Sequence, residues 1–212
     1  MTAAMTWDEA LQVGRCVDES VDLPKLYGMG YWDEYVRRSA TPMGKDITRC
    51  RIKLVDKWAT PHGRVVDIGI GSGQFVETRG SGTWGYDVNP LGIRWLLDRG
   101  LWWDPWFRAT PNATTWDSLE HMDRPELLLQ RVQLRLFVSI PIFRDKAHAL
   151  GSKHWKPGEH VWFFTRDGLV RWMKTWGFGL LEENRMEEAL GRQDIGTFVF
   201  GKIGTFLQME TR

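Results

Sequence analysis

Short apolar runs alternate with amphipathic stretches through the middle of the chain. The apolar runs predict buried strands in GRVVDIG, GTWGYDV, NATTWDSLEHM and LRLFVSIPIF, with LWWDPW as a short additional strand or edge segment. Helices are predicted between them in GSGQFVETRG, PLGIRWLLDRG and PELLLQRV. Such alternation is typical of a parallel sheet with helices on both faces, so we predict an α/β fold.

The two ends of the chain depart from this alternation. Residues 1–60 show no strand-like run and predict an N-terminal helical extension, broken around Thr41–Gly44. Residues 61–212 form the main part of what we expect to be one structural domain, since no linker divides the chain. At the far end, GLLEENRM and DIGTFVFGKI predict two strands. Their connection is too short for a reliable crossover helix, so the last strand is expected to be antiparallel.

Residues 144–160, which follow the LRLFVSIPIF strand, lack a clear period. They hold three of the five histidines of the chain and predict a long, mobile loop at a ligand pocket. A helix is then predicted to begin after Thr165, a favourable N-cap residue, and to end at Gly177.

Charge and composition exclude several classes of protein. The chain has 28 Lys and Arg against 27 Asp and Glu, so no field of one sign indicates a nucleic-acid or membrane partner. Its two cysteines, Cys16 and Cys50, fit neither a disulfide framework nor a zinc-binding spacing. No membrane-spanning stretch is present, and the first twenty residues do not resemble a signal peptide, so a cytoplasmic location is expected. The oligomeric state is left open.

Three glycines lie at alternate positions in DIGIGSGQF, between a predicted strand and a predicted helix. In an open α/β sheet, such a loop lies at the carboxyl edge of the strand, where ligands bind close to bare backbone. A tight turn without a ligand is the alternative. Asp87 ends the next strand, where a carboxylate can accept both hydroxyls of an adenosine ribose. Because Gln74 replaces the last glycine of the dinucleotide pattern, and Asp67 would repel a pyrophosphate, a cofactor bearing an amino acid fits better.

With these features, VVDIGIGSG and GYDV resemble motif I and the second-strand acid of class I S-adenosylmethionine-dependent methyltransferases. WDSLEHM and SKHWKPGEHVWFFTRDGLVRWMKTWGF are similar to segments of the group that contains the ubiquinone O-methyltransferases. The resemblance extends over Arg64–Lys202. It implies a Rossmann-like three-layer sandwich whose seven-stranded, mostly parallel sheet has an antiparallel last strand.

The same resemblance implies S-adenosylmethionine as the cofactor and a set of residues that bind it. Asp67 is expected to meet the α-ammonium group, Asp87 the ribose and Asp104 the adenine amino group. The complete predicted cofactor set is Asp67, Gly69, Gly71, Gly73, Phe75, Asp87, Val88, Asp104 and Asp117.

Methyl transfer from a sulfonium needs mainly positioning, and a base only where the acceptor starts protonated. The predicted catalytic residues are Asp117, His121 and His160. For Glu120 and His121 the equally good alternative is structural, as an acid at a helix start and a histidine hydrogen-bonded to backbone. The acceptor is expected to be a small molecule or a modified nucleotide, methylated at oxygen or nitrogen. The motifs of DNA amino- and cytosine-C5-methyltransferases are absent. A catalytically idle, cofactor-binding subunit or sensor is the alternative.

Two further features bear on the site. Asp117, Glu120 and His121 form D-x-x-E-H. This pattern is similar to the E-x-x-E-H that small-RNA 2′-O-methyltransferases and some ubiquinone O-methyltransferases use to hold a divalent ion. Because Asp117 replaces the first glutamate, we predict no metal ligands. The N-terminal extension carries residues expected either to roof the cofactor and select the acceptor or to cover the sheet: Tyr27, Tyr31, Trp32, Tyr35 and Met43.

Overall fold

The computed structural model describes residues 4–16, 28–59 and 63–204. Its strands are β1 (Thr6–Asp8), β2 (Val13–Arg15), β3 (Val65–Ile68), β4 (Thr83–Tyr86), β5 (Thr110–Trp116), β6 (Val132–Phe143), β7 (Trp162–Thr165), β8 (Phe178–Asn184) and β9 (Ile195–Lys202). Its helices are α1 (Met29–Ala40), α2 (Pro42–Trp58), α3 (Gln74–Arg79), α4 (Pro90–Asp98), α5 (Pro125–Leu129), α6 (Lys146–Gly151), α7 (Arg166–Thr175) and α8 (Met186–Ala189), with a 3₁₀ turn at Leu119–His121.

The central sheet has the predicted α/β arrangement. Strands β4, β3, β5 and β6 lie side by side and parallel, and β9 pairs antiparallel with both β6 and β8. The mostly parallel sheet with an antiparallel last strand is therefore confirmed. The LWWDPW segment contributes only a bridge, from Trp102 to Gly85, beyond β4.

The sheet has nine strands rather than seven, because three short strands extend it and LWWDPW does not form one. β1 pairs with β2, β2 pairs with β7, and β7 lies parallel to the end of β6 at Ile142 and Phe143. The interpretation of residues 1–60 as wholly helical is therefore wrong. The apolar run that forms β7 is likewise absent from the strands that the sequence predicts. These strands have three or four residues each, too few to show a period, and they form through contacts such as Val13 with Phe164.

Local signals placed several helix ends correctly. The break between α1 and α2 occurs at Thr41, whose Oγ1 accepts a hydrogen bond from the Gly44 amide at 3.0 Å. Thr165 caps α7 by accepting from the Gly168 amide at 2.9 Å, and Gly177 follows that helix with a φ of +78°. The segment 144–160 is not a continuous loop, since it contains α6.

Apolar side chains from both faces of the sheet form the core. Helix α2 packs Leu54 and Val55 against Val65, Phe137 and Val199, so the second N-terminal helix covers one face of the sheet. Within the described residues, no helix combines the length and apolarity needed to cross a bilayer.

Candidate active site

A cavity of about 380 Å³ opens in front of the glycine-rich loop, where β3, β4 and β5 end. Ligands of open α/β sheets bind at this edge. Of the predicted cofactor residues, Gly69, Gly71, Asp87, Val88 and Asp117 line the cavity. The tips of three adjacent strands thus contribute to one wall.

The glycine-rich loop presents bare backbone to this cavity. Gly69 and Gly71 have φ of +80° and +55°, a region that disfavours side chains. A Cβ on Gly69 would lie 2.8 Å from the Cβ of Ser118, and one on Gly71 would lie 2.8 Å from the Tyr35 ring. The loop therefore leaves no room for a side chain between the strand end and the neighbouring walls.

Asp87 is the best-placed acceptor of hydrogen bonds in the cavity. Its side chain is 8% exposed, and Oδ1 accepts from the Asn89 amide at 2.7 Å. Burial raises its pKa to about 6, against the opposing effect of nearby backbone amides that include those of Ile70 and Gly71. No guanidinium or ammonium group of the described residues is paired with this carboxylate, so hydroxyl donors of a ligand can bind to it.

The other predicted cofactor residues do not line the cavity. Phe75 is buried and packs edge-on against Trp116, with ring centroids 5.6 Å apart. Gly73 caps α3. Asp104 accepts from the Trp106 amide at 2.9 Å and thereby fixes the turn that places Trp106 on the cavity wall.

Asp67 lies behind the cavity. It is 1% exposed and accepts a hydrogen bond from Thr114 Oγ1 at 2.6 Å, which joins β3 to β5. Burial raises its pKa to about 7, more than the Thr114 hydroxyl and Arg51 lower it. The buried carboxyl group therefore changes between its neutral and charged forms near pH 7.

We expect Asp67→Asn to remove a pH-dependent loss of stability. Because the folded-state pKa is raised from 3.8 to about 7, the wild-type protein loses unfolding free energy as pH rises from 4 through 7, by about 3–4 kcal/mol. Urea titrations at pH 5 and 8 should show the variant gaining stability relative to wild type at the higher pH. Asp98→Asn, at an exposed position, is the control. An unchanged difference between the two pH values would contradict the assignment.

Asp117 is held by two arginines. Arg192 donates to both carboxylate oxygens, at 2.8 and 2.9 Å, and Arg51 donates to Oδ2 at 3.0 Å. Although burial opposes it, these two cations keep the pKa of Asp117 well below its usual range. The same arginines bind Glu187, which is fully buried. Asp117 is therefore a poor proton acceptor, in spite of its place on the cavity wall.

His121 lines the cavity, and Glu120 and His160 lie directly behind it. The rings of His121 and His160 meet edge to face, with centroids 4.7 Å apart. Burial lowers the pKa of His121 and brings that of His160 to about 2, so both imidazoles are neutral at pH 7. Burial also raises the pKa of Glu120 well above its usual value. Of the three predicted catalytic residues, Asp117 and His121 thus reach the cavity and His160 does not.

Two segments were expected to line the pocket, the aromatic residues of the N-terminal extension and residues 144–160, and only the first contributes to this cavity. Tyr31, Trp32 and Tyr35 of α1 line the cavity, whereas Met43 is 47% exposed and lies elsewhere; Tyr27 is outside the described residues. The expectation that residues 144–160 line the pocket is wrong for this cavity, since none of them contributes to its wall. That segment instead supports His121 through the ring of His160.

Sequence reasoning missed several residues of the site. Trp106 and Trp116 line the cavity, and the only local signal for them is their position at or after predicted strand ends. The arginines that bind Asp117 come from α2 and from the connection to β9, 66 and 75 positions away.

Comparison with known proteins places this architecture in one family. The family model described as a methyltransferase domain matches residues 35–183. A search of curated proteins finds no match. Among solved structures, magnesium protoporphyrin IX methyltransferase from Synechocystis PCC 6803 with bound S-adenosylmethionine is 13% identical, with a TM-score of 0.56 over 88% of this chain and 100% of that chain.

Two further solved structures have the same fold. A possible histamine N-methyltransferase from Thermotoga maritima is 16% identical, with a TM-score of 0.56 over 82% of this chain and 97% of that chain. The [4+2]-cyclase SpnF is 17% identical, with a TM-score of 0.53 over 74% of this chain and 80% of that chain. At these identities the likeness concerns the fold alone.

Proposed function

The chain belongs to the methyltransferase domain family, and from this we propose that it transfers a methyl group from S-adenosylmethionine to an oxygen or nitrogen atom of a small molecule or modified nucleotide. The observation that carries the proposal is the convergence of Gly69, Gly71 and Asp87 on one cavity wall. The finer likeness to ubiquinone O-methyltransferases remains part of the proposal.

The residues of this wall fit an adenosine-bearing cofactor. The carboxylate of Asp87 can accept hydrogen bonds from the two ribose hydroxyls, because its two oxygens together offer several acceptor sites and no cation of the described residues is paired with it. Gly69 and Gly71 let a ligand approach the backbone closely. We propose that Asp67 supports the loop from behind and that Asp104 acts by holding Trp106, in place of the direct contacts expected from sequence.

The aromatic residues on the other walls of the cavity can exclude water from the reacting atoms. Bound S-adenosylmethionine supplies a methyl group that its positively charged sulfur already activates, so the protein needs mainly to position the acceptor. Tyr31 and Tyr35 pack together with ring centroids 4.7 Å apart, and their hydroxyl groups are hydrogen-bonded at 3.0 Å. We propose that these rings, with Trp32, hold the acceptor against the cofactor.

His121 is the group through which we propose that the protein acts on the acceptor. It faces the cavity, and burial lowers its pKa, so its imidazole is neutral at pH 7 and can take up a proton from the acceptor during transfer. Asp117 is assigned a positioning role, since its charge is already neutralised by Arg51 and Arg192.

The test of cofactor binding is calorimetry with S-adenosylhomocysteine. We expect Asp87→Ala to weaken binding by about 1.5–3 kcal/mol, or about tenfold to a hundredfold, because two hydroxyls lose a charged acceptor. Asp98→Ala, on the exposed side of α4, should bind as wild type does. Equal affinity in both variants would refute the assignment of the ribose site.

The test of transfer is a screen with a labelled cofactor over pools of small molecules and nucleosides. An active enzyme labels at least one acceptor, and Asp87→Ala lowers that labelling at a fixed cofactor concentration. Tight binding of S-adenosylhomocysteine with no labelled product in any pool would instead identify the chain as a cofactor-binding subunit or sensor.

A further inference from the structure

Three side chains that can bind a metal ion converge behind the cavity wall. One ligand atom each from Glu120, His121 and His160 lies within 4.8 Å of the other two, and Glu120 Oε1 is 3.9 Å from His121 Nε2. Ligand atoms about 2.1 Å from a tetrahedral zinc ion lie about 3.4 Å from one another. Small side-chain rotations therefore bring all three atoms within range of one ion.

Polar atoms of this cluster are also buried without a partner. Glu120 Oε2 and His160 Nδ1 have no hydrogen-bond partner among the described residues, and their side chains are 1% and 4% exposed. A buried polar atom left unsatisfied costs about 1–3 kcal/mol, and native proteins rarely retain one without a reason. A cation between these residues would bind the buried Glu120 carboxylate and the buried His160 imidazole together.

The geometry points to a function for this cluster: we propose that Glu120, His121 and His160 bind one divalent transition-metal ion, of the Zn²⁺ or Mn²⁺ type. Two imidazole nitrogens and one carboxylate suit such ions better than Mg²⁺, which prefers oxygen ligands. An ion would also offset the cost of charging the buried Glu120 carboxyl group, with which no arginine or lysine is paired in the described part of the chain.

This ligand set differs from the D-x-x-E-H motif. Asp117 is unsuitable as a ligand because two guanidinium groups already bind its oxygens. His160, 39 positions after His121, takes its place. Because His121 also lines the cavity, the ion would lie beside the acceptor. That position beside an acceptor rests on the proposed function, whereas the metal site itself does not.

The experiment is calorimetry on the full chain without a histidine tag, after treatment with a chelator, with ZnCl₂, MnCl₂ and MgCl₂ titrated separately. We expect one Zn²⁺ or Mn²⁺ per chain and much weaker binding of Mg²⁺. Glu120→Gln and His160→Gln should each weaken binding more than about tenfold, since even loss of an outer partner of a metal ligand does so. His154→Gln is the matched control, because its ring stacks on His160 at 6.4 Å outside the cluster.

Circular dichroism and S-adenosylhomocysteine affinity, measured without added metal, report on folding and on the cofactor site. If His160→Gln does not fold, Glu120→Gln still decides, since its amide has the shape of the carboxyl group it replaces. The proposal is overturned if wild type binds no stoichiometric Zn²⁺ or Mn²⁺, or if Glu120→Gln binds as tightly as wild type. A metal site in a protein that does not bind S-adenosylhomocysteine would refute the proposed function alone.

Discussion

His121→Gln is expected to lower the rate of methyl transfer about 10²- to 10⁴-fold, the range over which a side chain that exchanges protons with the reacting group contributes. His121 and Asp117 both line the cavity, but Arg51 and Arg192 bind Asp117 and make it a poor proton acceptor. Glutamine keeps a polar side chain of similar length and cannot accept a proton at neutral pH. The readout is single-turnover transfer to the best acceptor from the labelled screen, measured on chelator-treated protein, in which no metal ion occupies the His121 imidazole.

Two measurements distinguish this role from a structural one. The affinity for S-adenosylhomocysteine should stay within about twofold of wild type, because the cofactor wall is formed by Gly69, Gly71 and Asp87. His148→Gln is the control: this histidine lies in α6 and does not line the cavity. If His121→Gln transferred the methyl group at the wild-type rate, His121 would have no part in the mechanism. If the variant lost affinity for S-adenosylhomocysteine, His121 would belong to the cofactor site instead.

Arg51→Met is expected to destabilise the fold by about 3–5 kcal/mol, because it leaves buried carboxylates short of one cation. Arg51 donates to Glu187 at 2.7 and 2.9 Å and to Asp117 at 3.0 Å, and its guanidinium group lies 4.9 Å from the centroid of the Trp116 ring. Glu187 also accepts from Ser139 at 2.6 Å, so the network joins α2 to the centre of the sheet. Urea unfolding at pH 7 measures the change.

A second substitution separates lost charge from lost packing. Arg51→Met combined with Glu187→Met removes both members of the most buried pair and should recover much of the loss, since apolar replacement of a buried ion pair is often neutral. Arg49→Met, at an exposed position on the same helix where Arg49 pairs with Asp46, should change stability by less than about 0.5 kcal/mol. Equal effects of the substitutions at positions 49 and 51 would show that the buried network contributes little.

The sequence predicted the parts of the fold that local patterns specify. Val65–Ile68, the glycines that follow and Asp87 could be placed because strand, turn and strand end are adjacent in the chain. Strands β1, β2 and β7 could not be placed, because segments of three or four residues show no period and their pairing depends on contacts such as that of Val13 with Phe164. Tertiary contacts determine whether such short segments form strands.

In the candidate site, too, the sequence predicted individual residues but not the contacts between distant ones. Asp117 was found from its motif, but its chemistry depends on Arg51 and Arg192, which no local signal connects to it. Likewise, His160 was predicted to be catalytic from its segment alone, whereas the structure buries it behind His121. A motif identified which side chains are present at the strand end; only the folded chain determines which charges surround them.

The helix pair α1 and α2 has a consequence for the design of chimeric proteins. α1 supplies Tyr31, Trp32 and Tyr35 to the cavity wall, while Arg51 of α2 neutralises Glu187 and Asp117. Replacing residues 28–59 with the same segment of a relative, as a way to change acceptor preference, would therefore also replace a cation of the core. A graft that carries a basic residue at position 51 should fold, whereas one that ends before α2 would exchange the aromatic wall and leave the charge balance intact.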